Sequence, residues 1–550
     1  GEALYYLSER SGDFNVWRRD LASGQDRQLT HYQGHPVRGL SASRQGDLVW
    51  SWQGELYRLD AGSKTPRKLA IQPLFANAPA ERSWMPGPID EALARQDGDE
   101  VILVSQGDLY AIDTRRERVR QLTRHPSEQS SPLYVDKEKG LIYLSEQDGP
   151  AALYRLNKAQ PDGLFSDPGT LTEQKLLAMP DAAISKPTLS PDGKQLAFVV
   201  DGQAVHLLDL ASGKQRPLVA AEFNPSRHAV ELAFAPDSRH LALTLQPDSA
   251  QQEIAVIDTR DAKAKPVNVS LNGYQDGSPA WSQDGGILYW QSAKYGKLGA
   301  DGEPLDGSLL GLYSSRAAKS DFLAEQAPPK GGYGFESDKL AHREALQLQP
   351  RGPVLASRIV DDHLIYLVEE TDANGESEIK GYAQELRKGE TKLLFAEQPG
   401  PALANLNDDA SLATLVREGE VTLIDMTSGE ATPHPFALLQ SGRWQARMTA
   451  AFDQITRLTR DEFYRADMNG VDWDGYVAAY RRQLPGIGNG RDFGNLLAEL
   501  AGELNVSHTW GYGPAPFPRL PDDTASLGGY WREDKHGVEL TALLAGGPLD

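Results

Sequence analysis

At 550 residues the chain exceeds one ordinary hydrophobic core and calls for about two to four domains. Its 40% hydrophobic and 24% charged residues are usual for a globular protein, while 56 Lys+Arg against 77 Asp+Glu leave a net charge of −21. That balance argues against a nucleic-acid partner, which needs a basic face; no run approaches the roughly 20 apolar residues of a membrane span, and the lack of cysteine excludes disulfide and thiolate chemistry.

No charged-then-apolar leader opens the chain. Gly1-Glu2 runs straight into an apolar strand at 3–7, so the natural start is expected upstream. From there to about Phe436 the dominant signal is an internal repeat. A turn glycine, a polar residue and a short apolar strand ending in Asp recur as Gly54–Asp60, Gly107–Asp113 and Gly419–Asp425, and without the glycine as 204–209 and 254–258. A turn of the type Ser190-Pro191-Asp192-Gly193 returns at 235–238 and 282–285, and Gln28-Leu29-Thr30 returns as Gln121-Leu122-Thr123. Gly54 to Gly107 and Pro191 to Pro236 both approximate the roughly 40–50-residue period of a four-stranded propeller blade. Turn residues force each reversal, and alternating apolar positions give strands two faces that only neighbouring blades can bury.

The predicted fold is therefore mainly β, a β-propeller architecture followed by a small helical domain. Two blades, near 3–30 and 40–70, precede a proline-bearing segment at 72–88. Seven follow, at about 93–123, 132–157, 188–219, 231–270, 279–315, 354–395 and 403–433. Seven blades close a ring and two do not, so the first two are expected to be the last blades of another propeller. The resulting domains are 1–72, a linker at 73–91, a seven-bladed propeller at 92–440, a helical domain at 441–520 and the start of a β or PDZ-like region at 521–550. Residues 295–353, rich in Gly and Pro, read as an excursion from one blade. Their Lys330-Gly331-Gly332-Tyr333-Gly334 run lacks the Gly-Lys-Ser/Thr of a phosphate loop.

From Arg443 the apolar period changes from 2 to 3.6. Met448, Phe452, Ile455, Leu458 and Phe463 predict one buried stripe, and Asn469-Gly470 a break. Trp473, Tyr476, Val477 and Tyr480 mark a second helix, ended by Pro485-Gly486. A third is expected from Asp492, as its cap, with Phe493, Leu496, Leu497, Leu500 and Leu504 on one face. Ser507 and His508 follow directly. A histidine near a helix C-terminus has its protonated form favoured by the dipole, which suits a residue that accepts a proton in a transition state. Other chemistry is weaker. His31 and His35 stand at i, i+4, but around a glycine turn and without a His-Glu-x-x-His helix, so neither a metal nor a cofactor is expected. The carboxylates of 97–100, 361–362 and 408–409 read as solvated turn residues.

The turn Asn469-Gly470-Val471-Asp472-Trp473 and the run Glu503-Leu504-Asn505-Val506-Ser507-His508 together resemble the helical domain of tricorn-type serine peptidases, relatives of the C-terminal-processing peptidases. The order of two blades and then seven is similar to that family's six-bladed propeller followed by a seven-bladed one. The resemblance implies that His508 is a general base and Ser507 a support relaying between it and a distant carboxylate. It implies a nucleophilic serine, oxyanion hole and carboxylate in a later α/β domain after a PDZ-like domain, of which 527–549 resembles only the leading strands. No Gly-x-Ser-x-Gly elbow is present, which argues against a prolyl-oligopeptidase-like hydrolase. The resemblance further implies oligopeptide substrates filtered by the propellers, a homo-oligomer, no nucleic acid and no membrane insertion, and it favours the periplasm over the cytoplasm. The rival reading is a non-enzymatic, TolB-like propeller protein that binds peptides or proteins.

Overall fold

The computed structural model describes residues 2–71, 82–179, 181–225, 230–247, 251–295, 308–324, 332–348, 350, 353–371, 377–397, 403–441, 443–507, 509–513, 529–534 and 537–543. Lys330, Gly331, His508 and residues 73–81 of the expected linker at 73–91 lie outside these. The chain divides into two compact units, Ala80–Gln454, and Gly1–Pro79 with Ile455–Asp550.

In the unit Ala80–Gln454, seven antiparallel four-stranded sheets follow one another in the chain. The first is built from Glu91–Ala94, Glu100–Ser105, Asp108–Asp113 and Arg118–Gln121. The others occupy 129–177, 184–219, 232–268, 276–348, 354–397 and 403–435. Each takes its four strands in sequence order, so no sheet mixes the two ends of the series.

The burial pattern explains why the sheets stack into a ring. Val101-Ile102-Leu103-Val104 is apolar throughout because both faces of the strand are covered. Ile102 and Val104 point into the core shared with Leu141 and Tyr143 of the second sheet. Val101 and Leu103, on the opposite face, pack with Val416 and Val421 of the seventh. The same alternation produces one apolar cluster at each of the other five junctions. Burying each such side chain contributes roughly 1.5–3 kcal/mol. The first and last sheets thus close a seven-bladed β-propeller. Arg82–Met85, just before the ring, pairs with Leu438–Ser441, just after it. Asn405 and Asn407 Nδ2 donate to the carbonyls of Ala92 and Gln96, at 3.2 and 3.1 Å.

Two blades run further than the sequence reading placed them. The second has its outer strand at Leu171–Leu177, beyond 157. In the fifth, Ser308–Tyr313 and Glu344–Leu348 are the third and fourth strands, so part of the expected excursion at 295–353 belongs to the sheet. Between them lies helix α1 (Arg316–Leu323), capped by Ser315 Oγ, which accepts from Ala318 N at 3.1 Å. Arg343 pins this loop: it is buried, and its guanidinium donates to the carbonyls of Tyr313, Ser314 and Glu336.

In the other unit, a three-stranded sheet (3–28) and a four-stranded one (38–68) share a core of Val16, Val37, Leu48, Trp50 and Leu59. Tyr32 stacks on Trp52 with ring centroids 4.3 Å apart. The division between units falls within helix α2 (Trp444–Glu462). Helices α3 (Trp473–Arg481) and α4 (Gly490–Gly502) follow, then a hairpin of Gly529–Asp534 and Gly537–Leu543. Among the described residues, no helix is long and apolar enough to cross a membrane.

Candidate active site

The site expected at Ser507 and His508 is approached through three helices whose ends are set by short-range capping. Asn469 and Gly470 take positive φ of 57° and 78°, which breaks the chain after α2. Asp472 Oδ1 accepts from Gly475 N at 3.0 Å and caps α3. Trp473 is buried, and its Nε1 donates to Thr456 O at 3.1 Å. Phe452 is buried as the apolar stripe requires, but Ile455 is 37% exposed and the buried position is Thr456.

Helix α4 starts earlier than Asp492. Asn489 is its cap: its Oδ1 accepts from Asp492 N at 2.9 Å, and its Nδ2 returns a bond to Asp492 Oδ2 at 2.8 Å. Asp492 lies in the first turn, where its charge suits the dipole. Phe493, Leu496, Leu497, Leu500 and Leu504 are all buried, forming the face expected from their spacing. The helix ends at Gly502, and the chain turns away at Asn505, whose φ of 52° is left-handed and whose N–H reaches Gly502 O at 3.3 Å.

Ser507 is exposed just beyond this cap, while His508 lies outside the described residues. The chain after it doubles back along α4. A Cβ on Gly511 would stand 2.6 Å from Ala498 N and 2.8 Å from Gly494 O, and one on Gly494 would overlap the backbone of Gly513. Only glycine permits this backbone-to-backbone approach. Ser507 therefore occupies the connection between α4 and a returning segment clamped onto that same helix. Sequence reading missed this role of Gly494, Gly511 and Gly513; their spacing was the available signal.

Sequence reading also missed a buried polar cluster immediately before Ser507. Glu503, 6% exposed, accepts from the Tyr480 hydroxyl at 2.7 Å, and its Oε2 lies 3.2 Å from Arg38 Nη2. His35 Nε2 is 3.3 Å from Glu503 Oε1, within ion-pair range but without hydrogen-bond geometry. The His35 ring meets Tyr476 edge-on and lies over Tyr480, at 4.9 and 6.2 Å between centroids. Its carbonyl accepts from Trp52 Nε1 at 2.9 Å, and Tyr476 Oη donates to Gly34 O at 3.1 Å. Burial, and then the bond to Glu503, push the Tyr480 phenol well above its ordinary range; burial also raises that of Tyr476. His31, by contrast, is exposed. Among the described residues, no group of three or more His, Cys, Asp or Glu is arranged to hold a metal.

The family model described as the Tricorn protease C1 domain matches residues 445–502, which covers α2, α3 and α4. Tricorn protease homolog 1 of Streptomyces coelicolor is 24% identical over 564 residues, covering 93% of this chain and 51% of its own length. The chain is a homologue of tricorn-type peptidases. The Tricorn protease of Thermoplasma volcanium is 23% identical over 307 residues, covering 53% of this chain and 27% of its own length. The crystal structure of the tricorn protease has the same fold, with a TM-score of 0.72 at 14% identity over 97% of this chain and 52% of that one. This tricorn homologue thus spans about half the length of the Streptomyces relative. The C1 match ends before Ser507, so it bears on the helices leading to the pair and not on the pair itself.

Proposed function

We propose that the chain is part of a tricorn-like serine peptidase that hydrolyses oligopeptides, with His508 as general base and Ser507 as its support. One observation carries this reading: the helical module that matches the C1 domain of tricorn proteases runs directly, through the end of α4, into Ser507-His508. In the proposed reaction His508 takes the proton of a serine nucleophile as that oxygen attacks the peptide carbonyl. The imidazolium then protonates the leaving amine, and water, deprotonated by the same histidine, releases the acyl group. Backbone N–H groups beside the nucleophile stabilise the tetrahedral oxyanion. The nucleophile, oxyanion hole and distant carboxylate are supplied from outside these 550 residues.

The seven-bladed ring fits a role in controlling access, which restricts substrates to short or unfolded peptides. The peptidase assembles as a homo-oligomer in this reading. These 550 residues alone should not cleave a fluorogenic peptide. Cleavage by the purified chain, blocked by a serine-reactive inhibitor, overturns this assignment of the nucleophile.

A further inference from the structure

Glu503 is held against two physical costs. Its carboxylate sits at the C-terminal end of α4, where the helix dipole disfavours an anion, and its side chain is almost wholly removed from water. A buried anion in that position persists only when donors and cations converge on it. Arg38 lies 3.2 Å from Oε2, while the Tyr480 hydroxyl at 2.7 Å and His35 Nε2 at 3.3 Å both approach Oε1. His35 belongs to the segment joining the two amino-terminal sheets, Arg38 opens the second of them, and Tyr480 belongs to α3. One carboxylate therefore ties three separate stretches of chain together where α4 stops.

The path from this anchor to the candidate pair is short and itself restrained. Leu504 is buried, its carbonyl accepts from Asn469 Nδ2 at 3.5 Å, and Asn505 closes the helix in its left-handed conformation. On the far side, Gly511 and Gly513 are clamped against α4. Ser507 is thus tethered from both directions, and Glu503 is the charged fixing point on the near side.

We propose that Glu503 is a positioning residue: its buried carboxylate, paired with Arg38 and bonded by Tyr480, fixes the end of α4 and with it the chain that enters Ser507-His508. The catalytic consequence rests on the peptidase reading above; the conformational one does not. Displacing a catalytic group by about 1 Å costs on the order of 100-fold in rate.

Two readouts test this on Glu503→Gln, which keeps the side chain's size and removes its charge. Hydrogen exchange on the 550-residue chain should show amides of 504–513 exchanging about 10-fold faster or more, with the seven sheets unchanged. In the full natural protein, normalised to sites titrated with a serine-reactive reagent, kcat should fall by about 10- to 100-fold with KM nearly unchanged. A purely structural carboxylate would lower stability and leave the kcat of the folded fraction intact. Arg38→Ala should reproduce the loss and Arg38→Lys partly restore it. If Glu503→Gln does not fold, Tyr480→Phe, which removes one hydroxyl, gives a smaller change in the same direction. Unchanged exchange and unchanged kcat in the folded variants overturn the positioning role. An inactive wild type, or an active His508→Ala, overturns the peptidase reading instead and leaves the exchange measurement to decide the anchor.

Discussion

Asp276 opens the inner strand of the fifth blade, and its side chain is wholly buried. Asn272 Nδ2 donates to it at 2.7 Å, and its other neighbours are the hydroxyls of Ser270 and Ser292 and the carboxylate of Glu253. Burial is the main cause that pushes its carboxyl from 3.8 up to about 6, with the hydrogen bonds opposing. A raised carboxyl pKa means the folded state binds the proton more tightly than the unfolded one. The stability it contributes is therefore present below 3.8 and lost as the pH rises through about 6. A rise of about two units corresponds to about 3 kcal/mol. Asp276→Asn removes the ionisation and keeps the shape and an acceptor for Asn272, while its amide donates to the serine hydroxyls. The variant should match the wild type near pH 4 and be more stable by up to about 3 kcal/mol at pH 8. Urea unfolding followed by tryptophan fluorescence across that range reads the difference, since Trp281 and Trp290 lie in the same sheet. A stability difference that does not grow with pH, or a variant less stable at pH 8, refutes the reasoning.

Two further substitutions test how local segments are held. Arg343→Met strands the carbonyls of Tyr313, Ser314 and Glu336 and should cost about 2–4 kcal/mol, with the loop between the third and fourth strands of the fifth blade becoming the first site of proteolysis. Gly494→Ala places a methyl group on the backbone of Gly513 and should cost about 1–3 kcal/mol while speeding proteolysis within 505–513. Gly486→Ala, which meets open space, should leave both unchanged and serves as its control.

The propeller was legible because its repeat is written twice, in turn residues that reverse the chain and in strands apolar on both faces, such as 101–104. Outer strands were less visible. Leu171–Leu177 carries Thr, Glu, Gln and Lys on largely exposed positions, and it follows a long connection after 158. The fourth strand of the fifth blade hides behind α1 and the Arg343 loop in the same way. In the helices, the apolar faces of α3 and α4 matched their spacing. The phase of α2 did not, because Thr456 is buried beneath Trp473 while Ile455 turns outward. Asn489 is hidden as a cap because Asp492 has the same chemistry one turn later. The Ser507-His508 pair was readable only through its resemblance to a family. The anchor of His35, Arg38, Tyr480 and Glu503 was not readable at all, since no local period links residues from opposite ends of the chain.

The role proposed for His508, general base of a serine peptidase, is open to direct measurement. The most direct measurement compares kcat/KM of the full natural protein and its His508→Ala variant on a fluorogenic oligopeptide, with circular dichroism confirming an unchanged fold. If His508 is the base, the variant loses on the order of 1,000-fold or more. An active wild type whose turnover survives the substitution would contradict it.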